Sequence, residues 1–146
     1  MTLADDIRSR WRHGGLLIRL VLVNIAVFLL VWAAFGVLWA ITQDRSLAME
    51  YFHSHVLEYL VLPSDLGLLL RRPWTLVTTM FLHYEPGHLF WNMVLLWTIG
   101  RLYDDILGDR RLLGTYLLGG LAGSVLFVAS NNLFPRGEVL PTALGA

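Results

Sequence analysis

An uninterrupted apolar stretch near the N-terminus is the strongest constraint on how this chain folds. Residues 20–41 carry no formally charged side chain over 22 positions. A helix of that length measures about 33 Å, which matches the roughly 30 Å hydrocarbon core of a bilayer. A cleaved signal peptide is the alternative, but its apolar region is about half as long and ends in small residues at a cleavage site. The stretch therefore predicts a first membrane helix, bounded at residues 16–42.

The composition of the whole chain agrees with a membrane protein. Of 146 residues, 56% are hydrophobic and 15% are charged, a more apolar balance than that of an ordinary soluble domain. The chain has no cysteine, which excludes disulfides, thiolate metal sites and a cysteine nucleophile. Its eleven basic residues, all of them arginine, balance eleven acidic ones, so no field of one sign marks a nucleic-acid partner.

A second helix is predicted over residues 88–107 and is short for a bilayer. Its charge-free run ends at Gly100 because Arg101 follows. Counted to Tyr103, the run has 16 residues and measures about 24 Å, less than the core of about 30 Å. The charged end can reach water, so the His88 end is expected to be submerged and to open into a cavity under the preceding loop.

A third helix is predicted over residues 112–133. It carries small residues at the spacing that lets membrane helices approach closely: Gly119, Gly120, Gly123 and Ser124. Beyond a loop with two prolines, residues 143–146 are predicted to begin a fourth helix. Residues 1–146 are therefore interpreted as one partial domain of an all-α, polytopic membrane protein with three transmembrane helices and the start of a fourth.

The segment between the first two helices, residues 43–87, is too long for a plain connection and should carry structure of its own. Apolar residues recur in it at helical spacing, as in a helix that lies in the membrane interface: Met49, Phe52, Val56, Leu57 and Leu60. Pro63, Ser64 and Asp65 break this pattern. Pro73 then suits the first turn of another short helix that leads toward His83.

Arginine placement predicts the side of the membrane on which each loop lies. Six arginines flank the ends of the membrane helices in the tail, residues 1–15, and at the corner after the second helix: Arg8, Arg10, Arg12, Arg101, Arg110 and Arg111. The long loop has three and the last loop has one. This bias favours a cytoplasmic N-terminus and an outer position for the long loop. The expected location is an integral, multi-pass position in a bacterial inner membrane.

A histidine and an asparagine four residues apart stand at the head of the second helix. On a helix, His88 and Asn92 share one face and point into the same space. A carboxamide and an imidazole N–H are donors that can stabilise negative charge, and the head of a helix adds the positive end of its dipole. The alternative is two polar residues that hydrogen-bond neighbouring helices. The spacing alone leaves both readings open.

Two sequence runs around this pair resemble the rhomboid family of intramembrane serine proteases. The first, residues 72–83, reads RPWTLVTTMFLH, and the second, residues 87–93, reads GHLFWNM. Other positions similar to the family are Gly100, Asp104, Gly108, Tyr116 and Gly119. Thr75 follows Trp74, where the family often has arginine. The likeness extends over nearly the whole chain, residues 16–146.

The resemblance implies a function for the pair. Rhomboids have six core helices, with a serine nucleophile at the head of the fourth and a histidine base on the sixth. By resemblance, Gly145 and Ala146 precede the nucleophile, and His88 and Asn92 stabilise the oxyanion. The chain is then the N-terminal part of an endopeptidase that cleaves transmembrane substrates near the outer face, without metal or cofactor. Residues 1–146 are by themselves expected to be inactive, since they would lack both nucleophile and base.

Alternatives from other classes remain open at this stage. One is a non-catalytic rhomboid-like module that binds membrane proteins. Another is a truncated folding or insertion intermediate, bound by a membrane chaperone or by the insertion machinery. Metal binding by His53 and His55 is disfavoured, because side chains two residues apart on a helix diverge and no carboxylate or cysteine completes a set. His83 is expected to have a structural or cavity-lining role.

Overall fold

A computed structural model of the chain describes residue 5, residues 15–134 and residues 142–143. Three long helices form its frame: α1 (Leu16–Thr42), α6 (Pro86–Leu107) and α7 (Asp109–Leu133). Between the first two lie short elements: α2 (Arg45–Phe52), a π-helical turn (His53–Leu57), α3 (Glu58–Leu60), β1 (Leu62–Pro63), α4 (Leu66–Arg71) and α5 (Thr75–Phe81). Strand β2 (Thr142–Ala143) pairs with β1. The all-α prediction is confirmed, with this two-residue strand pair as a small addition.

Two segments within the long helices have the length and hydropathy of a membrane span, Leu16–Thr42 and Arg111–Leu133. Only 22% and 17% of their apolar windows are buried inside the molecule. Such helices expose apolar surface on most sides, as lipid-facing helices do. Helix α6, which carries polar and charged residues along its length, is not among the helices of this kind. Of the three predicted membrane spans, two are therefore supported, those of α1 and α7.

The helix boundaries differ from the predicted ones in ways that the backbone explains. Helix α6 begins at Pro86, two residues before His88, because proline suits the first position of a helix and Glu85 is extended at the N-cap. Helix α7 begins at Asp109 rather than at residue 112. The corner between them is tight because Gly108 adopts a φ of 83°, a conformation that favours glycine.

The predicted fourth helix does not begin at Ala143. Instead, β2 runs antiparallel to β1, with Leu62 opposite Ala143 and Pro63 opposite Thr142. The extended backbone of β1 offers hydrogen-bond partners, which the first turn of a new helix lacks. Residues 144–146, the rest of that predicted helix, lie outside the described residues, as does nearly all of the predicted tail.

The long loop packs as a cap on one half of α1. Its helical periodicity is confirmed, because α2, the π-helical turn and α3 follow one another without a break over residues 45–60. Phe52 and Leu57 point inward from this stretch and are buried. They pack in one apolar cluster with Val31 and Phe35 of α1. The rings of Phe35 and Phe52 meet edge to face with centroids 5.6 Å apart.

Two elements of the loop were not predicted, α4 and β1. The signal for α4 was present in Asp65, which caps its N-terminus: the Asp65 carboxylate accepts a hydrogen bond of 2.7 Å from the Leu68 N–H. In the sequence this aspartate was interpreted only as part of a helix break. The strand pair has no local signal, because it joins residues that are far apart in the chain.

Close helix approaches position the second and third long helices. A Cβ on Gly100 would lie 2.7 Å from Leu17 Cδ1, so α1 and α6 approach closely there and a larger residue would displace the Leu17 side chain. A Cβ on Gly120 would lie 2.7 Å from Met80 Sδ, which brings α7 against α5. The buried Ser124 hydroxyl also bonds α5, donating to the Leu76 carbonyl at 3.3 Å. The other two small residues of the predicted set have open space at their Cβ positions: Gly119 and Gly123.

Candidate functional site

His88 and Asn92 lie in the first two turns of α6, and a third residue joins them. His83, in the turn between α5 and α6, is buried with 2% of its surface exposed. Its Nε2 lies 3.0 Å from Asn92 Nδ2, and its Nδ1 lies 3.2 Å from the Phe81 carbonyl oxygen. The His88 ring stands nearly edge-on to the His83 ring, with centroids 5.4 Å apart. Both members of the predicted pair therefore contact His83: Asn92 by a hydrogen bond and His88 through its ring.

The hydrogen bonds of His83 define its tautomer. A backbone carbonyl can only accept, so Nδ1 carries the proton and donates to Phe81. The other nitrogen, Nε2, is then an acceptor, and the Asn92 Nδ2 group donates to it. This bond fixes which end of the Asn92 carboxamide faces His83.

A cavity of about 330 Å³ opens beside these residues. It lies between α1, α5, α6 and α7, which contribute its wall: Asn24, Met80, His83, Asn92, Met93, Leu96, Thr115, Tyr116, Gly119 and Gly120. Asn92 is in the wall, whereas His88 packs on the His83 ring. The expectation that His83 lines a cavity is confirmed. The sequence predicted a cavity at the His88 end of α6; the α6 residues of this wall begin one turn further along, at Asn92, and do not include His88.

The deep side of the cavity holds a polar chain that the sequence did not reveal. Asn24 of α1 is fully buried and donates from Nδ2 to the Leu20 carbonyl at 2.8 Å and to the Tyr116 hydroxyl at 3.3 Å. The Tyr116 hydroxyl in turn donates to the Met80 carbonyl at 3.4 Å. These bonds connect α1, α7 and α5 behind the site.

One acceptor in this chain is left without a partner in the described structure, the Oδ1 atom of Asn24. Leaving a buried acceptor unsatisfied costs about 1–3 kcal/mol. The available signal for Asn24 was its position, since it is the lone hydrogen-bonding amide within the charge-free residues 20–41. A polar residue at such depth normally faces other protein groups or a water-filled cavity.

Burial lowers the pKa of the His83 imidazole, and the nearby His88 lowers it further, while the hydrogen bond to Phe81 opposes the shift. The ordinary value is 6.5, so His83 is neutral at pH 7. For a base with a lowered pKa, the unfolded chain binds more protons than the folded one as the pH falls below 6.5. The contribution of neutral His83 to stability is therefore present at neutral pH and lost in acid.

The other histidines of the loop contact neighbouring side chains of the loop itself. His53 lies against the Tyr84 ring with centroids 6.3 Å apart. The Ser54 hydroxyl bonds the Glu50 carbonyl of its own helix at 2.8 Å and lies 2.8 Å from His55 Nδ1. Among the described residues, no group of three or more histidine, aspartate or glutamate side chains is placed to hold a metal ion.

Long apolar helices that are mostly exposed, with a few buried polar side chains between them, are typical of an integral membrane protein. The profile of the Rhomboid domain matches residues 70–146, which is more than half of the chain. The chain belongs to the rhomboid family. This family includes serine proteases that act on transmembrane substrates within the bilayer.

Two curated relatives agree with this assignment. Rhomboid protease GluP of Bacillus subtilis (strain 168) is 36% identical over 52 residues, which are 36% of this chain and 10% of that protein. Rhomboid-like protein 16, chloroplastic, of Arabidopsis thaliana is 30% identical over 125 residues, which are 84% of this chain and 34% of that protein. The chain thus spans about a third or less of the relatives it matches. No solved structure matches it significantly.

Proposed function

We propose that this chain is the N-terminal part of an intramembrane serine endopeptidase and that His88 and Asn92 form its oxyanion site. The observation that carries the proposal is the position of Asn92. Its carboxamide lies in the wall of the cavity between α1, α5, α6 and α7 and is oriented by a bond of 3.0 Å to the buried His83. A carboxamide that only joined two helices would not need a cavity beside it.

The chemistry of peptide cleavage explains why these groups suit the role. Attack on a peptide carbonyl places negative charge on its oxygen, and donors that are already oriented stabilise that charge better than water does. Asn92 Nδ2 and an N–H of His88 are such donors. Both lie within the first two turns of α6, where the unpaired backbone N–H groups add positive potential. The site therefore favours an anionic transition state.

The nucleophile and the base are assigned only by family resemblance. In a rhomboid domain the serine follows the positions that Gly145 and Ala146 match, and both residues lie outside the described part of this chain. No serine occurs in the wall of the cavity formed by the described residues. We therefore assign acyl transfer to the whole rhomboid domain rather than to residues 1–146 alone.

A cleavage assay tests this assignment. We expect the protein with its whole rhomboid domain, reconstituted in liposomes, to cut a fluorescent transmembrane peptide near one membrane face. The 146-residue chain in the same liposomes should leave the peptide intact. Cleavage by the 146-residue chain would contradict the assignment of the nucleophile. Binding of the peptide by the whole domain without any cleavage would favour a non-catalytic binding module.

In the topology that we propose, the N-terminus lies inside and the loop of α2 to α5 lies outside. Helix α6 crosses the membrane as a short span between α1 and α7. The arginine distribution supports it. Since the chain has no cysteine, Arg71→Cys and Asp105→Cys place single thiols in the loop and near the inner end of α6. In sealed right-side-out vesicles, an impermeant thiol reagent should label the first and spare the second. Equal labelling of both would exclude this topology.

A further inference from the structure

We propose that the charge on His83 decides whether Nδ2 or Oδ1 of the Asn92 carboxamide lies beside it, so that His83 is a positioning residue for the site. The inference rests on the proposed function only for its catalytic consequence. The coupling between the two side chains follows from their hydrogen bonds alone. Neither the spacing of His88 and Asn92 nor any motif in the sequence indicates it.

The neutral state of His83 has one arrangement of donors and acceptors. Its Nδ1 proton is committed to the Phe81 carbonyl, because that oxygen has no proton to give. Its Nε2 lone pair then needs a donor, and the Asn92 Nδ2 group provides one at 3.0 Å. The amide is thereby held with its N–H end toward His83.

Protonation of His83 changes Nε2 from a hydrogen-bond acceptor into a donor. Both ring nitrogens of an imidazolium are donors. Two donors facing each other across 3.0 Å repel, so Asn92 must turn its carboxamide by about 180° to present Oδ1 to His83. The Nδ2 group has two N–H bonds, of which one points to His83 in the neutral state and the other is the donor proposed for the oxyanion. After the turn, a carbonyl oxygen takes the place of this second donor. A carbonyl oxygen repels an oxyanion where an N–H group would stabilise it.

The surroundings of His83 favour the neutral form of its imidazole. Among the described residues, the His88 ring of α6 contacts the His83 ring, Tyr116 of α7 lies in the same cavity wall, and Glu85 stands two residues away at the N-cap of α6. The residues that α1 and α5 contribute to the wall, Asn24 and Met80, do not titrate. Among the described wall residues there is no carboxylate to stabilise an imidazolium. The nearby His88 also lowers the pKa of His83.

Nuclear magnetic resonance of the 146-residue chain in nanodiscs tests the coupling directly. With ¹⁵N labelling, we expect His83 to show the tautomer protonated at Nδ1 at pH 7. On acidification, the side-chain ¹⁵NH₂ signals of Asn92 should shift with the same midpoint as His83. That midpoint should lie below 6.5 and should rise in His88→Gln, which removes the neighbouring charge.

Two control variants separate coupling from general effects of pH. In His83→Gln the Asn92 signals should no longer move with pH, because glutamine keeps a hydrogen-bonding amide but does not titrate. His53→Gln, at the exposed histidine of the loop, should leave the Asn92 titration unchanged. Asn92 signals that ignore the titration of His83, or a neutral His83 protonated at Nε2, would overturn the inference.

The catalytic consequence is measured separately with the whole rhomboid domain. The pH profile of kcat should lose the acid limb that belongs to His83 when His83 is replaced by glutamine. If the Asn92 signals follow His83 but Asn92→Ala cleaves at the normal rate, the coupling stands and the proposed oxyanion role fails. If Asn92→Ala abolishes cleavage but the signals do not follow His83, the oxyanion role stands and the coupling fails.

Discussion

Replacing Asn92 with alanine in the whole rhomboid domain is expected to lower kcat by about 10²–10³-fold, the usual cost of losing one oxyanion donor. KM for a transmembrane peptide should change little, because the donor acts on charge that develops only in the transition state. The fold should persist, since Asn92 is only half-buried and lies beside an open cavity. Steady-state cleavage of a fluorescent transmembrane peptide in liposomes measures both constants.

The matched control for Asn92→Ala is Asn131→Ala. Asn131 is also a half-buried helical asparagine, but its Nδ2 donates to the Phe127 carbonyl of its own helix at 2.9 Å. Its removal should leave kcat within about twofold of the parent value, since the residue lies on α7 away from the cavity wall. Equal losses in the two variants would indicate a general effect of removing an amide. An unchanged kcat in Asn92→Ala would remove Asn92 from the oxyanion site.

Replacing Phe52 with alanine is expected to destabilise the fold by about 3–5 kcal/mol, as for other large aromatic residues truncated in a core. Phe52 is 1% exposed and packs between α1 and the loop that covers it. Its ring contacts Phe35 of α1. Because this cluster holds the loop against α1, its loss should release the segment that carries His83. The free energy of unfolding in mixed micelles measures the change.

Tyr51→Ala is the matched control for this core variant. Tyr51 is the preceding residue on the same helix and is 46% exposed. An exposed substitution of this kind usually changes stability by less than about 0.5 kcal/mol. A small effect at Phe52, similar to that at Tyr51, would contradict the packing of the loop on α1.

Much of the fold was predictable because it depends on local patterns. Length and lack of charge over residues 20–41 define the first span, and the helical recurrence of Phe52 and Leu57 defines the loop helix. Helix α6 starts two residues before the predicted position because Pro86 occupies its first position. The pairing of β1 with β2 was not predictable, since each strand has only two residues and their partners lie about 80 positions away in the chain. Such long-range pairing leaves no periodic signal.

The candidate site divides in the same way. His88 and Asn92 were found because a spacing of four residues is a helical pattern and the surrounding runs resemble a known family. The hydrogen bond between His83 and Asn92 was not predicted, since the segment between two helices brings together residues nine positions apart. The contact of Asn24 with Tyr116 spans 92 residues and depends entirely on how α1 and α7 pack. Sequence periodicity describes one element at a time and carries no such contact.

The central claim is that Asn92 and His88 stabilise the oxyanion of a rhomboid protease, and a structure of a trapped intermediate tests it most directly. The whole rhomboid domain would be treated with a serine-directed phosphonate, whose P–O⁻ oxygen mimics the oxyanion. We predict that this oxygen lies about 2.7–3.1 Å from Asn92 Nδ2, with a His88 N–H also in hydrogen-bond range. An oxygen directed away from both side chains and bound by donors elsewhere would contradict the account.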